Sequence, residues 1–261
     1  MKKKNLAFLL PLVFATSLFA QNTERYTALS ARDYYAKAPS FVSLFGNYSM
    51  LLNTNYTKTD YANNAAGFSA GSGWNAGVQG CYYFSPNFGI GGLGSYSMYD
   101  AASTENLTAG YRSSFNAPDA AVTAKNGYTM WNALGGLFIT IPVESVSFDF
   151  RGLGGYASMD TPEMEINLNN SASSTSPIVQ RRGTGGGLAW MAGAGLRVHF
   201  SDAFSMGLHG DYFSATPDID INYARFPITT LNARRLTTYK ETFNSLNVGL
   251  AFYFNFEQDR Y

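Results

Sequence analysis

Between Gly195 and Phe213 the chain reads GLRVHFSDAFSMGLHGDYF, two alternating runs folded about Ser201-Asp202-Ala203. One face carries Leu196, Val198, Phe200, Phe204, Met206 and Leu208, and the other carries Arg197, His199, Ser205, His209 and Asp211. A strict period of two is the pattern of a strand whose faces meet different environments. The pattern recurs at about 40–50, 73–84, 87–99, 128–141, 145–157, 186–200, 203–214 and 242–256. Each segment is rich in aromatic and β-branched residues, so each predicts a β-strand.

The connections alternate as well. Ser85-Pro86-Asn87, Pro142-Val143-Glu144 and Ser201-Asp202-Ala203 are short. The stretches 51–72, 100–127, 158–185 and 215–241 are long and polar. An even strand count then puts both ends of the chain on the side of the short turns. Transmembrane barrels with short periplasmic turns and long extracellular loops have this layout. Structureless loops of such length count against a compact soluble domain. The three short-turn hairpins also resemble one another, each running from glycines through an apolar stretch and a turn back to glycines and Tyr.

Alternation does not say which face is inside. A soluble eight-stranded barrel is apolar within, and a membrane barrel is the reverse. Two features favour the second. The lysines beyond the N-terminus (Lys37, Lys58, Lys125, Lys240) and the glutamates avoid strand interiors, which a water-facing wall would not require. The polar face is also crowded with glycine. A turn centred on Asp202 sets His199 opposite Ser205, Arg197 opposite Gly207, Gly195 opposite His209 and Gly193 opposite Asp211. Large opposite small suits the interior of an eight-stranded barrel, which is just wide enough for its side chains. The last strand gives Leu246, Val248, Leu250, Phe252, Phe254 and Phe256 on one side, a row suited to lipid. The fold class predicted is all-β, an eight-stranded antiparallel up-and-down transmembrane β-barrel over residues 40–256.

The N-terminus carries Lys2, Lys3 and Lys4 followed by an apolar run from Leu6 to Ala20. It is too short to span a bilayer as a helix and is placed as a signal peptide is, with cleavage after Ala20. Residues 1–20 are thus predicted as a signal peptide, 21–39 as a periplasmic N-terminal segment with a short helix near 27–37, and 257–261 as a C-terminal tail. Cys81 is the only cysteine, which excludes a disulfide framework. Formal net charge is zero, so nothing electrostatic argues for nucleic acid.

The layout, with GAGLRVHFSDAFSMGLHGDY and the terminal LNVGLAFYFNF, resembles the small eight-stranded outer-membrane β-barrel proteins of Gram-negative bacteria, of the OmpA, OmpX and OmpW types. The resemblance covers Ser40 to Phe256. It implies outer-membrane localisation, contact with outer-membrane lipids and lipopolysaccharide, passage through the outer-membrane insertion machinery, and a monomer. Family members often end on an aromatic residue of the last strand, whereas here Phe256 is followed by EQDRY.

Six residues are the candidates for a lumen charge network: Asp149, Arg151, Arg197, His199, His209 and Asp211. An unpaired ion in a narrow lumen is costly, so the two Asp and two Arg are expected to pair. Three functions follow. The first is a structural or surface-interaction protein with a filled lumen, the second a narrow porin-like channel, the third a lipid-modifying enzyme. His199-Phe200-Ser201 superficially matches a His-x-Ser deacylase pattern, but Ser201 falls in a periplasmic-side turn. No catalytic residue, metal site or cofactor is expected. Asp218 and Asp220 read as solvated loop carboxylates. Cys81 reads as a small lumen filler, and GTGGGLAW (183–190) as a flexible lead-in to a strand. Arg181, Arg182, Arg234 and Arg235 read as solvated loop charges, with lipopolysaccharide phosphate as the alternative partner.

Overall fold

The computed structural model describes residues 38–52, 70–101, 104–115, 117–167, 169–170, 173–174, 178–225, 234–240 and 242–256. The predicted signal peptide, its cleavage site, the helix near 27–37 and the tail lie outside the described residues.

The strands are β1 (Ser40–Leu51), β2 (Ala70–Tyr83), β3 (Phe88–Ala101), β4 (Ala121–Lys125), β5 (Tyr128–Val143), β6 (Val146–Asp160), β7 (Glu163–Asn167), β8 (Asn169–Asn170), β9 (Ser173–Ser174), β10 (Ile178–Gln180), β11 (Thr184–His199), β12 (Phe204–Ala215), β13 (Asp218–Arg225), β14 (Arg234–Lys240) and β15 (Phe243–Phe256). Among the described residues one helix, α1, covers Thr104–Phe115. Strands β1, β2, β3, β5, β6, β11, β12 and β15 pair in that order, all antiparallel, and β15 pairs back with β1. The result is a closed eight-stranded up-and-down barrel. Each predicted strand is present, with ends shifted by at most a few residues. Among the described residues no helix is long and apolar enough to cross a membrane, so any crossing is made by strands.

The register of the last short hairpin is the predicted one: His199 with Ser205, Arg197 with Gly207, Gly195 with His209, Gly193 with Asp211. The outer wall is apolar. Leu44, Val78, Ile90, Leu137, Phe150, Leu208 and Leu250 are exposed, while their strand neighbours Ser43, Gln79, Phe138 and His209 are buried. A soluble barrel would have these faces exchanged, so this is a barrel of the transmembrane type. On β2 the outward aromatics Trp74 and Tyr82 bracket the apolar span. Eight residues of tilted strand cover about 18–22 Å along the barrel axis, most of the ~25 Å apolar band of such barrels.

Two of the short turns share one construction. In Phe84–Phe88 and in Phe200–Phe204 a Phe-Ser-x-x-Phe run folds back on itself. The first Phe and the Ser donate their backbone N–H groups to the carbonyl of the closing Phe, whose own N–H is accepted by the Ser Oγ. The third turn is tighter than predicted. Pro142 and Val143 stay in β5, Val143 pairs with Val146, and Glu144-Ser145 make the turn. Glu144 adopts φ 55°, the positive value that a two-residue type II′ hairpin needs at its first central position.

Three of the four long connections carry regular structure, which corrects the sequence reading, and most of the first lies outside the described residues. The connection from β3 to β5 contains α1 and β4, that from β6 to β11 supplies β7 to β10, and that from β12 to β15 supplies β13 and β14. β4, β7, β10, β13 and β14 form an antiparallel extension joined to the barrel where Thr184–Gly186 of β11 pair with Asp218–Asp220 of β13. The extension buries Ala117, Ala120, Val122, Met164 and Ile166. Apolar burial of this kind is what gives loops a fixed shape. Helix α1 places Glu105 in its first turn and Arg112 in its last, each favourable to the helix dipole. Arg112 Nε ties it to Ala120 O at 3.0 Å.

Candidate functional site

The lumen is filled in three layers. Near the short turns, Arg197 is 0% exposed. Its Nη2 donates to Asp149 Oδ1 at 2.8 Å and to Thr140 Oγ1 at 3.3 Å. Thr140 Oγ1 donates in turn to Asp149 Oδ1 at 2.6 Å and bonds the Tyr83 hydroxyl. The Arg197 guanidinium also lies 4.9 Å from the ring centroids of both Phe41 and Tyr253. Stacking on aromatic faces suits a guanidinium, which is weakly hydrated and keeps its charge. Nε and Nη1 of Arg197 have no hydrogen-bond acceptor, so the rings serve that part of the group.

The middle layer is built on Arg151. Its Nε and Nη2 grip Asp211 bidentately at 2.8 and 2.5 Å, and Nη1 donates to Gln79 Oε1. His209 sits beside this pair with Nε2 3.6 Å from Asp211 Oδ2, edge-on to the Phe45 ring. Small residues make the room. A Cβ on Gly193 would fall 1.8 Å from Asp211 Oδ1, so only glycine fits across from that carboxylate.

The layer toward the long loops is uncharged. Asn75 Nδ2 donates to Ser95 and Ser97 at 2.8 and 2.7 Å, Asn132 Nδ2 to Ser95 at 2.8 Å, and Asn47 Nδ2 to Asn75 Oδ1 at 3.3 Å. Ser49 joins Asn247 and Tyr99. Above them Tyr99 meets Phe243 edge-on at 5.0 Å.

The structure therefore brings the two Arg–Asp pairs together as Arg197–Asp149 and Arg151–Asp211, with His209 beside the second. His199 is separate. Its Nε2 lies 2.7 Å from Ser147 Oγ and its Nδ1 2.8 Å from Ser205 Oγ, while Asn255 Nδ2 donates to Ser205 Oγ at 2.8 Å. Each ring nitrogen of His199 thus meets a serine hydroxyl, and a hydroxyl can donate or accept, so the two serines satisfy both nitrogens in either tautomer. Ser201 takes no part: its Oγ accepts the Phe204 N–H. The His-x-Ser run is a sequence coincidence without the contact that a His-activated serine requires.

Three other sequence readings are settled by geometry. Cys81 is buried at the lumen wall, packed against Gly89, where a Cβ would lie 2.5 Å from its Sγ. The run 183–190 is not a flexible lead-in but the start of β11. Gly185 and Gly187 are required there because a Cβ would meet the Asp218 and Thr216 carbonyls at 2.0 Å. Asp218 and Asp220 lie on β13 rather than a loop, facing Lys240 Nζ at 3.9 Å and Thr238 Oγ1 at 2.6 Å.

Gln79, Thr140, Tyr83 and the Asn/Ser layer were not among the sequence candidates for the network. Strand parity alone puts all of them on the lumen face, and that was the signal available. Two small cavities lie between the layers, each of about 10 Å³. One lies among Asn47, Asn75, Asn132 and Asn247, the other beside Gln79, Asp149 and His209, and Arg151 is the one residue that lines both.

A closed eight-strand antiparallel barrel, apolar outside and hydrogen-bonded inside, has the architecture of the transmembrane β-barrels. No family model and no curated protein matches the chain. Among solved structures it is similar to Ail, the attachment invasion locus protein of Yersinia pestis, at 13% identity over 84% of this chain and 99% of that one, TM-score 0.39. It is similar to Neisserial surface protein A at 7% identity over 84% and 98%, TM-score 0.41. It is also similar to the outer membrane protein OprG from Pseudomonas aeruginosa at 12% identity over 85% and 99%, TM-score 0.42.

Proposed function

We propose that the protein is a non-enzymatic outer-membrane barrel whose lumen is a brace rather than a path, and which acts through its loop end and its lipid-facing wall. The observation that carries this reading is the filled interior. Each cavity holds about 10 Å³, room for roughly one water, and hydrated ions need a wider continuous path. The ordered extension of β4, β7, β10, β13 and β14 supports a role at the loop end, because a surface with a fixed shape binds at lower entropic cost than a loose loop. On this reading the partners are outer-membrane lipids, lipopolysaccharide and, during biogenesis, the insertion machinery, and the chain is a monomer.

One feature favours a narrow channel as the second reading. The two cavities are stacked, and the Arg151 side chain stands between them. Conductance decides. The refolded protein, verified by a mobility difference between unheated and boiled samples, is added to a planar bilayer. The first reading expects no steady current, and salt-dependent channels would replace it with the second.

A further inference from the structure

Both lumen cavities are lined by buried polar atoms that the protein leaves unpaired. In the cavity toward the loops these are Asn47 Oδ1 and Asn132 Oδ1. The two residues are 7% and 5% exposed, and their amide nitrogens are spent on Asn75 Oδ1 and Ser95 Oγ. In the cavity toward the short turns the unpaired atoms are Gln79 Nε2 and both ring nitrogens of His209. These residues are 2% and 4% exposed. Gln79 Oε1 accepts from Arg151 Nη1, so its NH₂ group is the part left over. Asp149 lines the same cavity and receives both Arg197 and Thr140 on a single oxygen, Oδ1. A buried polar atom without a partner costs free energy. Here such atoms come from four side chains and gather at two cavities.

We propose that each cavity is a binding site for one water molecule, one on either side of Arg151, and that the two waters complete the lumen network. The proposal deepens the reading of a filled lumen and rests on it. Size is the first argument. A cavity of about 10 Å³ has room for one water and little else. Hydrogen-bond chemistry is the second. The site toward the loops presents two acceptors, so it takes a molecule that donates twice. The site toward the turns presents an NH₂ donor beside an imidazole and a carboxylate, so it takes a molecule that accepts and donates together. Water does both. Charge is the third. Arg151 is paired with Asp211 and Arg197 with Asp149, so neither site holds an unbalanced charge for an ion to neutralise. The sites are also walled by apolar rings. Toward the loops Tyr99 meets Phe243 at 5.0 Å beside the buried Met130. Toward the turns Phe41 packs on Tyr253 and Phe138 with centroids 5.0 and 6.1 Å apart. Waters enclosed in this way should exchange slowly with the bulk.

A high-resolution crystal structure of the refolded protein reads both sites. One water peak is expected in each cavity, at about 2.7–3.2 Å from its partners. The partners are Asn47 Oδ1 and Asn132 Oδ1 in one, and Gln79 Nε2 and a His209 nitrogen in the other. In micelles, water-selective NOE spectra should show transfer from long-lived water to the Asn132 and Gln79 side-chain amides. Asn132→Leu should lose the water of the first site and keep that of the second. Gln79→Met should do the reverse. Dry cavities in the unsubstituted protein overturn the proposal, as does an ion in place of water. It also fails if a variant keeps the water that its lost group should hold. The wild-type measurements stand even where a variant does not fold. The filled-lumen reading fails separately: steady conductance with both waters in place overturns that reading and leaves the two sites.

Discussion

Arg197 and Asp149 face each other across β11 and β6 at 2.8 Å, with the arginine sealed from solvent and its carboxylate partner 17% exposed. Removing one charge leaves the other buried without its counter-ion. Arg197→Met should therefore destabilise the barrel by about 3–5 kcal/mol. Adding Asp149→Leu should recover a large part of that loss. Urea unfolding of the two variants in lipid vesicles measures both, and additive effects would mean that the pair is not coupled.

Arg151 is the partition between the lumen cavities. Arg151→Ala should join them and turn a silent barrel into one that passes small ions. Single-channel recording at symmetric salt checks this. A variant that is folded and still silent would show that the Arg197 layer and the Asn/Ser layer close the lumen without it.

Glycines separate into two kinds by face. A Cβ on Gly249 would meet Asn47 Oδ1 and Gly46 O at 2.1 Å, whereas Gly210 has nothing within 4 Å of that position. Gly249→Ala should cost about 1–3 kcal/mol through overpacking. Gly210→Ala should be tolerated, and adds a methyl group to the lipid-facing wall. Comparing the unfolding midpoints of the two variants tests which direction each face points.

Leu208 lies on that wall midway along β12. Leu208→Lys should destabilise the inserted barrel by about 2–4 kcal/mol if the residue sits near the bilayer midplane. A soluble barrel would gain solubility from the same change. Folding yield in vesicles and in detergent-free buffer separates the two outcomes.

Glu144 holds φ 55° at the tightest turn. Glu144→Gly should stabilise the hairpin by up to about 1 kcal/mol, since left-handed backbone costs a side-chain-bearing residue about 1–2 kcal/mol and glycine offsets part of this through chain entropy. Thermal or urea unfolding measures it.

The eight strands and the 199–205 register were legible because both depend on local pattern. A period of two and a three-residue turn fix which side chain opposes which. The partners of the network were only half legible. The Arg and Asp positions followed from parity, but Gln79 reaches Arg151 from the other side of the barrel. That meeting depends on barrel tilt and stagger, which no single hairpin encodes. The extension was missed for a different reason. Glu163–Asn167 (EMEIN) and Asp218–Asn222 (DIDIN) alternate like strands. They are short and set in polar surroundings, and their pairing partners come from separate connections. Nothing local to either segment tells it apart from a solvated loop.

Part of the lumen is laid out as rungs on which a bulky side chain faces a small one, as Arg197 faces Gly207 and Asp211 faces Gly193. The unit of heritable change inside the barrel is therefore the rung and not the residue. On such a rung a glycine that gains bulk must be answered by loss on the facing strand, so a change there has to be made in pairs, whereas a change on the wall facing the lipid can be made one site at a time.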